Sequence, residues 1–192
     1  MKKQKNNSHL KQQYIEVSVS KQEIVRMVIF LFLFISIIGF SSYILTFGFN
    51  NFIADVVKYV FNLPLAIIYL LGGTIIHELL HVAGLIIQKE IKPSSFKFGI
   101  SSYNFGPYVH CKHEVKRNFY MLSLLLPFVI LGVVPFVLSF SVGHGGLFLF
   151  GSVFILAASA DLVSALKLLK YNRNASIADH PDVPGFYVKK AR

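Results

Sequence analysis

His77, Glu78 and His81 stand in the run His77-Glu78-Leu79-Leu80-His81, at the spacing that metal-assisted hydrolysis needs. Residues four apart share one face of a helix, so His77 and His81 can offer two imidazole nitrogens to a single metal ion. Glu78 is turned about 100° around the helix from His77. It need not be a ligand and can act as general base on a water that the metal polarises, then as proton donor to a leaving amine. Catalytic zinc takes a third protein ligand and keeps a fourth position open. Of the nine acidic residues, only Glu78 and Asp161 lie inside strongly apolar runs. An ionisable group at membrane depth costs at least about 2.5–3.5 kcal/mol on insertion scales, so both acids call for a partner and a purpose.

The elements that must hold these groups are apolar. Hydrophobic residues make up 54% of the 192-residue chain, and the mean hydropathy is +0.59. That excess fits lipid as the solvent if the apolar residues form runs of about 20. Four such runs are present, about Ile24–Phe47, Leu63–Ile87, Asn118–Phe140 and Leu147–Leu169. The first is too long for a signal-peptide core and reads as a retained span. Residues 48–62 read as a loop or interfacial helix, and Pro127 and Pro135 are expected to kink the third span. The expectation is an all-α polytopic membrane protein with four spans, residues 24–170. It is flanked by a basic segment, 1–23, and a polar tail, 171–192.

The net charge of +10 is distributed in a way that favours lipid over nucleic acid. Of 19 Lys and Arg residues, Lys58 alone falls in the first or third connection. The rest lie at the two ends and between spans two and three, which predicts both termini and the middle segment in the cytoplasm. One cysteine, Cys111, excludes an intramolecular disulfide.

Depth makes Asp161 the candidate third ligand. His77 and Asp161 each lie about 14 residues inward from the outer ends of spans two and four, hence roughly 21 Å deep on parallel helices. The bland alternatives are a buried polar cluster or proton path for the histidines and Glu78, and a packing acid bonded to Ser159 or Ser164 for Asp161.

The His77–His81 motif within a span, followed by Ala158-Ser159-Ala160-Asp161-Leu162-Val163 on the last span, resembles a family of bacterial membrane proteins of the zincin peptidase type. That family is itself similar to reduced site-2 proteases. The resemblance runs over about residues 60–190. It takes in His110-Cys111-Lys112-His113-Glu114 and the tail Asp179-His180-Pro181-Asp182-Val183-Pro184-Gly185-Phe186-Tyr187-Val188. It implies zinc held by His77, His81 and Asp161, Glu78 as catalytic acid and base, and hydrolysis of peptide bonds within or beside a bacterial plasma membrane. The substrate would then be a protein or peptide. The chain departs from the site-2 pattern in having no Asn-Pro-x-Gly or Asp-Gly signature near Asp161 and no PDZ-like insert.

Phe96, Phe98 and Ile100 alternate with Lys97 and Gly99, and Asn104-Phe105-Gly106-Pro107 is turn-forming. This predicts a cytoplasmic β-hairpin between spans two and three, serving either as a simple connection or as an edge that pairs with an extended substrate. His110, Cys111 and His113 read as ordinary loop residues rather than a second metal site, and His144 and His180 as exposed loop residues. Gly72, Gly73, Ala83 and Gly84 would let helices pack closely near the metal site. Two rivals remain open: a non-catalytic membrane protein with a structural metal, and an oligomeric transporter using the same polar residues.

Overall fold

The computed structural model describes residues 13–59, 61–100, 107–181 and 183–190. The basic residues Lys2, Lys3, Lys5 and Lys11 and the expected turn at Asn104, Phe105 and Gly106 lie outside them.

Helix α1 spans Lys21–Phe47. It opens on a reciprocal cap: Glu23 N–H donates to the Ser20 hydroxyl, and Ser20 N–H donates to the Glu23 carboxylate. After Gly48, with φ +82°, helix α2 covers Phe49–Tyr59. Helix α3, Leu63–Ile86, carries His77, Glu78 and His81. Helix α4, Arg117–Val142, widens into a π-helical stretch over Phe128–Val133, immediately after Pro127. Helices α5, Gly145–Ala157, and α6, Ser159–Leu168, meet at a 50° bend. Thus α1, α3 and α4 are each long and apolar enough to cross a membrane, and α5 with α6 makes a fourth if the bent pair is one span.

The described residues are mostly helical, and the expectation of an all-α protein with one hairpin is corrected by a further four-stranded sheet. Strands β2, Phe96–Ile100, and β3, Pro107–Cys111, form an antiparallel hairpin between α3 and α4. A second sheet has the order β1-β6-β5-β4, antiparallel throughout. Its strands are β1, Tyr14–Ser18; β4, Val115–Lys116; β5, Ser176–Asp179; and β6, Gly185–Lys189. Each has at most five residues, too few for local alternation to stand out, and β1 pairs with β6 from the far end of the chain. The sheet gathers the segments that precede α1, precede α4 and follow α6, so those three helix ends lie together.

Two cores result. Beside the sheet, Leu85, Tyr120, Leu124 and Leu168 pack with Phe96, Cys111, Ile177 and Phe186. At the other end, Tyr43 is enclosed by Phe52, Phe140 and Phe148. His144, expected to be exposed, is half-buried: it caps α5 by accepting from Leu147 N–H, and its ring lies tilted against Tyr59.

Polar groups fasten the sheet. Glu114 accepts hydrogen bonds from Tyr14 and Ser176 and pairs with Lys189 at 2.9 Å. Burial pushes the Glu114 carboxyl up, but the bonds from Ser176, Tyr14 and Lys189 outweigh it and hold the group below the usual carboxylate range. The hydrogen bond to Glu114, then burial and the nearby negative charge, push Tyr14 up to about 12. A lowered carboxyl stabilises the fold above its unfolded value and loses that contribution as pH falls through the folded one. A raised phenol stabilises below its unfolded value and loses that contribution as pH rises toward the folded one. The protection of the β1 amides, taken as their exchange relative to the intrinsic rate at each pH, should therefore be highest between about pH 5 and pH 9 and fall on either side. In Glu114→Gln the loss of protection in acid should disappear; if it persists unchanged, other groups hold the strand.

Candidate metal centre

His77 and His81 project from one face of α3, their rings 4.9 Å apart and nearly perpendicular. The bend at Ala158 puts Asp161 in the first turn of α6, facing them. His77 Nε2 lies 3.2 Å from Asp161 Oδ2, and His81 Nε2 lies 3.7 Å from Asp161 Oδ1. The ligand atoms of His77, Glu78 and His81 lie within 4.8 Å of one another. Sequence depth and structure thus place the same acid beside the same histidines. The hydroxyls of Ser159 and Ser164 bond the carbonyls of Leu156 and Ala160 on their own chain segment, which removes the packing explanation for Asp161.

The tautomer of His81 follows from its partner. Nδ1 lies 2.9 Å from the Ser123 carbonyl, which can only accept, so Nδ1 carries the hydrogen. In the neutral ring Nε2 then presents a lone pair, and it faces a carboxylate that also has only lone pairs to offer. Two acceptors turned toward each other need a proton or a metal ion between them. Tetrahedral zinc with bonds of about 2.0–2.1 Å sets neighbouring ligand atoms roughly 3.3 Å apart, close to both separations observed. The donor set fits zinc.

The Ser123 carbonyl is available because of a residue four positions on. In an α-helix it would accept from the N–H of residue 127, and that residue is proline, which has none. The next amide, of Phe128, donates to Leu125. Ser123 also donates its hydroxyl to the His81 carbonyl at 3.0 Å, so the two residues are bonded in both directions. Gly84 permits this approach, since a Cβ there would sit 2.5 Å from Ser123 Cα. Gly73 likewise admits Phe154, whereas Gly72 faces open space.

A cavity of about 380 Å³ opens beside the site, walled by α3, α4, α6, β3 and the tail at Asp179–Pro181 and Val183–Gly185. Glu78, Asp161 and Asp179 line it with His77, His81 and His180, and among the described residues no Lys or Arg does. In a chain of net charge +10 this is a local reserve for a cation. Glu78 and Val109 of β3 line this cavity together. His110 pairs with Asp179 at 3.1 Å. The expected exposure of His180 is corrected: its side chain is 7% exposed, stacks on Tyr187 and bonds Glu16. Ser123, Val109, Tyr120 and Asp179 escaped sequence reasoning because each acts through tertiary contact, although the four-residue spacing of Ser123 and Pro127 was a readable signal.

A family model described as "Putative zincin peptidase" matches residues 70–176, more than half of the chain, and includes His77, Glu78, His81 and Asp161. No curated protein and no solved structure matches.

Two variants test the centre. Asp161→Ala should lose most of the zinc that the folded wild type carries, measured as metal per chain in mild detergent; full retention would remove Asp161 from the ligand set. Pro127→Ala returns an amide that competes for the Ser123 carbonyl. It should raise thermal stability, because a proline inside a helix is unfavourable, while lowering zinc affinity roughly tenfold. Unchanged affinity would show that the freed carbonyl does not matter to His81.

Proposed function

The chain belongs to this zincin peptidase family, and on that premise we propose that it is a zinc-dependent membrane peptidase. It would hydrolyse peptide bonds of a protein or peptide substrate within or next to the bilayer. The observation that carries this reading is the convergence of a tautomer-fixed His81, His77 and the Asp161 carboxylate at the floor of a cavity that also contains Glu78. His77, His81 and Asp161 would hold the metal. Zinc bound there would supply Lewis-acid character and a water that is nucleophilic at neutral pH. Glu78, which lines the cavity with His77 and His81, would accept the proton of the attacking water and deliver it to the leaving amine. The cavity beside the ligands leaves room for a substrate carbonyl, which favours catalysis over a closed structural site.

An extended substrate suits the cavity walls. They combine transmembrane helices with strand β3 and the tail segment, so a peptide would be engaged where the helices meet the polar layer. The outward N–H of Cys111 is already taken by Asp179, so strand pairing at that edge would have to displace it or use Val109 and the carbonyls. Four crossings of a bacterial plasma membrane with both termini cytoplasmic remain our reading. It is supported by the lysine and arginine asymmetry and by the sheet that gathers the segments flanking α1, α4 and α6.

Glu78→Gln separates metal binding from chemistry. Zinc per chain should stay at the wild-type level, while cleavage of a quenched-fluorescence peptide mixture falls by roughly 10²–10⁴-fold, the usual worth of a positioned acid–base group. Wild-type turnover in that variant would overturn the assignment of Glu78.

A further inference from the structure

Asp179 ends β5 and lies just beyond the stretch that the family model matches. Its carboxylate accepts three hydrogen bonds. Tyr120 Oη donates to Oδ1 at 2.8 Å, while His110 Nδ1 and the Cys111 N–H donate to Oδ2 at 3.1 and 3.2 Å. One donor comes from α4 and two from β3, so a single side chain ties the tail to both. Such a carboxylate is unlike a surface charge. Tyr120 is buried, Asp179 is largely covered, and bonds to an ionised acceptor are about twice as strong as neutral ones.

The register of the hairpin shows what this tie governs. Along an antiparallel strand, alternate residues turn their N–H groups toward the partner strand and away from it. Val109 and Cys111 share one parity, and both N–H groups leave β3 on the side away from β2. That of Cys111 goes to Asp179, while Val109 lines the cavity with Glu78. Pro107, of the same parity, has no N–H to give. The outer edge of β3 is therefore tied to the tail at Cys111, two residues from the cavity wall at Val109.

We infer that Asp179 is a positioning residue. By clamping the β3 edge at Cys111 it sets the place of Val109 in the cavity wall, and so the surroundings that orient the Glu78 carboxylate. The same clamp fixes one end of the cavity wall formed by His180, Pro181, Val183, Pro184 and Gly185. The other end is fixed at Pro184, whose carbonyl accepts from Val19 N–H at 2.9 Å, and at Gly185, where φ is +141° and a Cβ would meet the Val17 carbonyl at 2.3 Å. The role in catalysis rests on the peptidase reading; the clamp itself does not.

The chain contains its own reporter. Cys111 is the single cysteine, it is buried, and its N–H is one of the three donors. Burial pushes its thiol above the usual range, which slows reaction with thiol reagents further. The experiment is maleimide labelling of full-length protein in mild detergent, with zinc content and peptide turnover measured on the same samples. Asp179→Ala should label roughly tenfold faster or more. Zinc per chain should be unchanged, and kcat should fall roughly tenfold to a hundredfold with little change in KM. Asp179→Asn, which keeps an acceptor for the Cys111 N–H, should recover most of both effects. Wild-type labelling in Asp179→Ala would overturn the clamp. Loss of zinc in step with turnover, or faster labelling with unaltered kcat, would overturn the positioning of Glu78. If the wild type itself shows no turnover, the peptidase reading and the positioning role fail together, while labelling and its recovery in Asp179→Asn still decide the clamp.

Discussion

A histidine buried among apolar helices must satisfy both ring nitrogens, and the second nitrogen decides what the first can do. In this chain the second nitrogen of His81 is bound by the carbonyl of Ser123, which Pro127 has left without a helical donor. Much of the centre depends on that contact. It brings α3 against α4 at Gly84, turns the Nε2 lone pair toward α6, and makes the Asp161 carboxylate a mismatch for it unless a cation intervenes. A proline that weakens its own helix thus contributes to the site by withholding a hydrogen.

The polar groups of the centre are arranged in dependent layers. His77, His81 and Asp161 come from helices, the more rigid elements on which to build a site. Glu78 shares the cavity with Val109, which belongs to a strand whose outer edge is tied to the tail. The helices therefore supply the imidazole and carboxylate groups, while the sheet side supplies walls.

Sequence alone disclosed the first layer and little of the second. The His77–His81 spacing, the isolation of Asp161 in an apolar run and the matching depths all follow from helical periodicity, which is local and strong. The lengths of the apolar runs agreed with the helices to within a few residues. The 50° bend at Ala158 was not legible, because no proline or glycine marks it. The four-stranded sheet was missed for a different reason. Tyr14–Ser18 and Gly185–Lys189 make sense as strands only when paired with each other, and pairing across nearly the whole chain leaves no trace in a local window. His180 was misjudged on the same ground: its cover comes from Tyr187 and Glu16, one near and one remote in sequence.

The pairing of β1 with β6 has a further consequence for how the protein is made. β1 is synthesised before the apolar helices and its partner after them, so the first strand stays unpaired while those helices are made. The segment that walls the cavity, between β5 and β6, also follows α6. His77, His81 and Asp161 can thus come together before the walls beside Glu78 are in place. The cavity closes around them only when two strands that flank the helices in sequence have found each other.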